Sequence, residues 1–326
     1  MRPSRVLAGA VAALCVALGL TTAPAQAASG PAYSVPAGDL AASLHCVGDP
    51  TKGPAPVLLV PGTTQSPEAN FDWNYEPAFT AQGRAWCAVR LPAFGMGDIA
   101  VAAEYVTNGI RTLHAKAGRK VSVVGFSQGG MVPRWSLKYF PDTRAMVDDM
   151  VGIDPSNHGT LDAYAVCAVG GCAPAFWQQQ TGSRFLKALN AEQETYAGIS
   201  YTQMYTATDE IVVPNLGPAP SSALTTGAGA RSNTLVQSIC PVHVADHLTM
   251  GTSDAVGYAL VQDALGHAGP AQASRVPRSV CAQPFLPGVT AVSFARNFPR
   301  VAGLAVDQVL TAKHVPAEPE LPAYAR

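Results

Sequence analysis

The sequence predicts an α/β fold, a mostly parallel central sheet flanked by helices, and three observations carry that reading. Short β-rich apolar runs alternate with segments of helical periodicity. The clearest of these runs is apolar at consecutive positions, as expected of a strand covered on both faces. The chain of 326 residues is 48% hydrophobic and only 13% charged, against about 25% charged in an average soluble domain. That composition excludes disorder, and a formal net charge of −1 gives nucleic-acid binding no electrostatic support.

At the N-terminus, Arg2 and Arg5 precede the uncharged run Val6 to Leu20, and Ala25-Gln26-Ala27 supplies the small residues a signal peptidase needs. Residues 1–27 are therefore expected to be a secretory signal peptide. Residues 28–326 are expected to form a single domain without a transmembrane segment. Cys15 lies inside the apolar run, and Ala12-Ala13-Leu14 before it is a poor match to a lipid-attachment site. Six cysteines remain: Cys46, Cys87, Cys167, Cys172, Cys240 and Cys281. An even number in an exported chain implies disulfides, with 15 possible pairings.

Val57-Leu58-Leu59-Val60, stopped by Pro61-Gly62, predicts a buried strand, and Trp86-Cys87-Ala88-Val89 a second. Ala102, Tyr105, Val106, Ile110 and Leu113 recur at helical spacing between Asp98, a candidate N-cap, and Gly118, which predicts a crossover helix ending at Ala117. Val121-Ser122-Val123-Val124 is the next strand, and Met131 to Phe140 is expected to be helical, with Pro133 near its first turn. Met150–Ile153, Gln203–Tyr205 and Leu235-Val236 are weaker strand candidates. The Pro/Gly/Ala-rich segment from Gly217 to Ala230 reads as a surface loop.

The motif that carries chemistry is Gly125-Phe126-Ser127-Gln128-Gly129, a G-x-S-x-G between a strand and a helix. A sharp strand-to-helix turn forces the serine into a strained conformation, and larger neighbours two positions away would clash. The turn also puts Ser127 at a helix start, where unpaired N–H groups, including that of Gln128, can face a developing oxyanion. A phosphate cradle is the alternative, but Met131 and Val132 stand where a P-loop needs lysine and Ser or Thr. A serine nucleophile needs a histidine base and an acid to orient it, in the chain order Ser, acid, His for this type of turn. Asp209 fits the acid, with Glu210 its adjacent competitor. His247 fits the base, with His243, His267 and His314 as rivals.

Several strings along the chain resemble the family of Candida antarctica lipase B within the α/β-hydrolase fold. They are Leu58-Leu59-Val60-Pro61-Gly62-Thr63, Phe71-Asp72, Glu104-Tyr105, Ser127-Gln128-Gly129-Gly130, Trp177-Gln178-Gln179, Ala207-Thr208-Asp209-Glu210-Ile211-Val212, Asp246-His247 and Pro322 to Arg326. The resemblance implies a secreted serine ester hydrolase, first a lipase on acylglycerols, with Ser127 as nucleophile, Asp209 as acid and His247 as base. Short-chain or polyester esterase and envelope acyltransferase are the neighbouring alternatives, and an inactive binding module is a remote one. The resemblance further implies an oxyanion hole of Thr63 and Gln128, Gln179 and Phe126 in the substrate pocket, no metal or cofactor, and a monomer acting on an ester or lipid substrate. It pairs Cys46 with Cys87 and Cys240 with Cys281, leaving Cys167 to Cys172. That last bridge falls in Leu161 to Trp177, the segment matching a small mobile region beside the family's active-site mouth. Phe126 stands where the fungal enzyme has tryptophan, and Thr64 where it has glycine.

Overall fold

A computed structural model describes residues 28–168 and 170–326; the predicted signal peptide at 1–27 lies outside the described residues. Seven strands form one sheet: β1 (Leu44–Val47), β2 (Val57–Val60), β3 (Trp86–Val89), β4 (Val121–Phe126), β5 (Val147–Ile153), β6 (Ser200–Tyr205) and β7 (Ala230–Leu235). Their order across the sheet is β1-β3-β2-β4-β5-β6-β7, parallel throughout except for β1, which pairs antiparallel with β3 at the edge. The predicted strands at 57–60 and 86–89 keep their expected bounds.

The consecutive apolar residues of β2 are explained by two cores. Val57 and Leu59 pack with Phe71, Trp86 and Phe126 on one face, while Leu58 and Val60 pack with Val89, Ile110 and Trp135 on the other. Successive side chains of a strand point to opposite faces, so a strand covered on both must be apolar at every position. Each such side chain stabilises the fold by about 1.5–3 kcal/mol. The crossover helix Ile99–Ala117 covers the second face with Ala102, Val106, Ile110 and Leu113. The Asp98 carboxylate accepts from Ala100 N at 2.9 Å, and Gly118 ends the helix at φ 64°.

Three expectations are corrected. Met131 to Phe140 is not one helix, because Gln128–Met131 and Pro133–Tyr139 are separate, with Pro133 opening the second. Proline lacks an N–H and its ring clashes with the preceding turn, so it is best placed in the first turn of a helix, as Pro133 is here. Val236 lies beyond β7, in a 3-10 turn over Val236–Ser238. The segment from Gly217 to Ala230 is not wholly at the surface, since Ser221 to Leu224 is buried and Ala230 begins β7. Burial is possible there because Asn215 Oδ1 accepts from Ser222 N, and the Asn233 amide binds both N and O of Leu224.

The cysteines pair as the resemblance implied: Cys46–Cys87, Cys167–Cys172 and Cys240–Cys281. The first joins register partners on β1 and β3. The helix Ala291–Thr311, which the sequence reading did not anticipate, contains Pro299 and begins with a capping box of Thr290 and Ser293.

Candidate functional site

The site forms at the carboxyl ends of β4, β5 and β6, where a parallel sheet leaves strand ends and helix starts facing one crevice. Ser127 follows β4 directly and takes φ 54°, ψ −123° before the helix Gln128–Met131. The glycines around it are sterically required. A Cβ on Gly125 would lie 1.9 Å from the Gly129 carbonyl oxygen, and one on Gly129 would lie 2.1 Å from that of Val60. The Gln128 side chain is tied to the neighbouring loop by a 2.9 Å bond to the Gly95 carbonyl. Its backbone N–H belongs to the first residue of the helix, a position without an intrahelical acceptor.

Asp209 lies four residues beyond β6, and His247 opens the helix His247–Thr252, capped by Asp246. Between them, His247 Nδ1 stands 3.0 Å from Asp209 Oδ2. Asp209 Oδ1 accepts from Ile211 N and Val212 N at 2.9 and 2.8 Å, and Oδ2 also accepts from Asn215 Nδ2 at 3.0 Å. Burial alone would raise the Asp209 carboxyl, but the His247 ring and the two backbone donors outweigh it and hold the group below its ordinary value. Glu210, the competing acid, bonds the His247 backbone N–H and not the ring. Of the rival histidines, His243 pairs with Asp254 and His267 with Asp263. Neither they nor His314 line the cavity beside Ser127.

That cavity, of about 160 Å³, has Ser127, Thr63, Phe126, Gln179 and His247 in its wall. Asp209 stands behind the histidine. The Phe126 ring packs against the imidazole with centroids 4.7 Å apart. Gln179 Nε2 donates to Thr63 Oγ1 at 2.9 Å, and Gln179 Oε1 accepts from Ser156 Oγ at 2.8 Å. Apolar walls come from Phe176, Ile211, Val212 and Leu248, and from Ala305 and Val309 on the helix Ala291–Thr311. The sequence reading placed the mouth in Leu161 to Trp177 and missed this second wall. Thr64, the noted departure from glycine, takes φ 69°, in the left-handed region that favours glycine.

Asp154 also went unremarked in the sequence. It follows β5 at φ 42°, is fully buried, and accepts from Thr206 N through Oδ1 at 3.0 Å. Burial pushes its carboxyl well above the ordinary range, and the charge of Asp209 adds to the effect. One ligand-type atom each from Asp154, Asp209 and His247 lie within 4.8 Å of one another. Two acids and a histidine can hold a cation, but both oxygens of Asp209 already accept two hydrogen bonds each. The donor set therefore fits a hydrogen-bonded base and acid better than a metal.

A family model described as lipase (class 2) matches residues 104–247. Lipase B of Pseudozyma antarctica is 37% identical over 266 residues, which is 79% of this chain and 77% of that protein. The chain belongs to the lipase B family. It is a carboxylic-ester hydrolase with the α/β-hydrolase fold. The crystal structure of Aspergillus fumigatus lipase B is similar over 92% of this chain and 74% of that one, with a TM-score of 0.85 and 30% identity. A Bacillus licheniformis lipase in its propeptide form shares the fold, with a TM-score of 0.51 and 19% identity over 70% of this chain and 54% of that one. For this lipase B relative, no helix among the described residues is long and apolar enough to cross a membrane.

Proposed function

We propose that the chain is a secreted, monomeric serine lipase that cleaves acylglycerol esters through an acyl-enzyme, within one catalytic domain over residues 28–326. The observation that carries this reading is that Ser127, on its strained turn, shares one apolar cavity with the His247 ring, whose Nδ1 edge is held by Asp209. His247 takes the Ser127 proton as Oγ attacks the ester carbonyl, and Asp209 stabilises the resulting imidazolium. Thr63 and the Gln128 N–H receive the oxyanion. His247 then protonates the leaving alcohol, and the acyl chain remains on Ser127. Water activated by the same histidine releases the acid. The apolar walls at Phe176, Val212, Leu248 and Val309 support an acyl chain as the bound group. Export is supported by three disulfides, which persist in oxidising compartments.

The modest size of the cavity favours a second reading, a short-chain carboxylesterase. Hydrolysis of an ester series from short to long chains, dissolved and emulsified, separates the two. A sharp loss beyond short chains removes the lipase assignment and leaves the esterase one. Ser127→Ala is expected to abolish both hydrolysis and labelling by a serine-directed phosphonate. A folded Ser127→Ala protein with its esterase rate intact overturns the mechanism.

A further inference from the structure

We infer that Asp154 is a reserve acid able to orient His247 when the Asp209 carboxylate is absent, standing behind Asp209 at the carboxyl end of the neighbouring strand. The inference rests on the reading of Asp209 and His247 given above and goes beyond it.

Three geometric facts carry it. A carboxylate oxygen of Asp154 lies within 4.8 Å of a His247 ring nitrogen and of an Asp209 oxygen. Asp154 is anchored by one oxygen only, the Oδ1 that accepts from Thr206 N. Its other oxygen, Oδ2, is buried and has no hydrogen-bond partner among the described residues. A buried carboxyl with an unpaired oxygen costs stability, typically about 1–3 kcal/mol for one missing partner, so its place beside the site points to a role.

With Asp209 present, the two acids compete for one imidazole. Asp209 wins because it receives two backbone N–H groups and the Asn215 amide, whereas Asp154 receives one donor and faces the negative charges of Asp209, Asp254 and Glu210. Two buried carboxylates this close cannot both ionise cheaply, so the pair shares a proton and Asp154 holds it. Removing the Asp209 carboxylate reverses the balance. Asp154 loses its nearest like charge, a space opens toward His247, and the unanchored Oδ2 can turn into that space while Oδ1 keeps Thr206.

The test is a cycle of Asp209→Ala, Asp154→Asn and the double variant, read as kcat and KM on a soluble ester, with thermal unfolding to show that each protein is folded. Losing the acid of a catalytic triad typically costs about 10⁴-fold in kcat. Here Asp209→Ala is expected to cost about 10²- to 10³-fold. Asp154→Asn is then expected to cost at least about tenfold more in the Asp209→Ala background than in the parent, in kcat and not in KM. A merely structural acid, whose repulsion disappears with Asp209, would have an equal or smaller penalty in that background, and that result overturns the inference. Asp154→Ala gives the same comparison if Asp154→Asn does not fold. Asp209→Ala with full parental activity is a different outcome, which removes Asp209 from the mechanism and the inference with it.

Discussion

Gln179 Nε2 donates to Thr63 Oγ1 at 2.9 Å, a bond that ties the cavity-wall amide to the loop after β2. The second N–H of the amide goes to the Ala175 carbonyl at 3.2 Å, and the amide oxygen accepts from Ser156 Oγ. Both N–H groups of the Gln179 amide are thus committed, and the Thr63 hydroxyl accepts from one of them. The hydroxyl's own proton is thereby free for another acceptor, and Thr63 lines the cavity beside Ser127. Removing one oxyanion donor typically costs about 10²- to 10³-fold in kcat. On the proposed role of Thr63 as such a donor, Gln179→Leu misorients its hydroxyl and is expected to lower kcat about tenfold with little change in KM. In a Thr63→Val background that penalty should vanish. An equal penalty in both backgrounds would return Gln179 to the role of a pocket wall.

The turn at Ser127 leaves no room for a side chain at Gly129, where a Cβ would meet the backbone oxygens of Val60 and Pro61 at 2.1 and 2.5 Å. Backbone cannot move aside cheaply inside a sheet. Gly129→Ala is therefore expected to cost at least about 3 kcal/mol or to prevent folding, as overpacking in a rigid site does. Gly303 sits exposed within the helix Ala291–Thr311 with nothing within 4 Å of its Cβ position, so Gly303→Ala should stabilise by up to about 1 kcal/mol. Chemical denaturation of the two variants measures both signs.

His243 lies four residues before His247 and is hydrogen-bonded to Asp254, the N-cap of the helix Ala255–Gly266. The bond to Asp254 raises the His243 pKa, against the opposing effect of partial burial. A group raised on folding contributes stability that is complete below its unfolded value, about 6.5 for histidine, and lost as pH climbs through the folded value. The Tm difference between the parent and His243→Gln should accordingly be largest near pH 6 and shrink by pH 9. A difference that does not vary with pH would show that His243 acts through packing alone.

Cys167 and Cys172 staple the segment that carries exposed Leu161, Tyr164 and Val166, and the backbone of Cys172 pairs on both sides with Val315. A bridge closing so short a loop contributes roughly 2 kcal/mol in the chain-entropy model. Its larger consequence is that the mouth should move little when the enzyme meets an aggregated substrate. The Cys167→Ser/Cys172→Ser variant is expected to show a greater jump in rate on emulsified ester than the parent. The same jump in both proteins would separate the bridge from mouth motion.

The sheet was legible where burial forces a simple pattern. Val57–Val60 and Trp86–Val89 are covered on both faces, so their apolar runs coincide with the strands. Edge strand β1 is partly exposed and left no such run. The turn at Ser127 was legible because steric conflict demands glycine at Gly125 and Gly129. The helix Ala291–Thr311 was not, because Pro299 reads as a breaker in any local window.

By itself, the sequence determined the α/β class, the strained turn at Ser127 and the order of candidate residues, since backbone sterics and strand burial act over a few neighbouring positions. Only the tertiary structure decided that Asp209 and not Glu210 meets the His247 ring, that Gln179 holds Thr63, and that Asp154 stands beside the pair. Each of these depends on distances between strand ends and helix termini that lie tens of residues apart in the chain. Such distances are set by the packing of the sheet and its helices, and no local pattern records them.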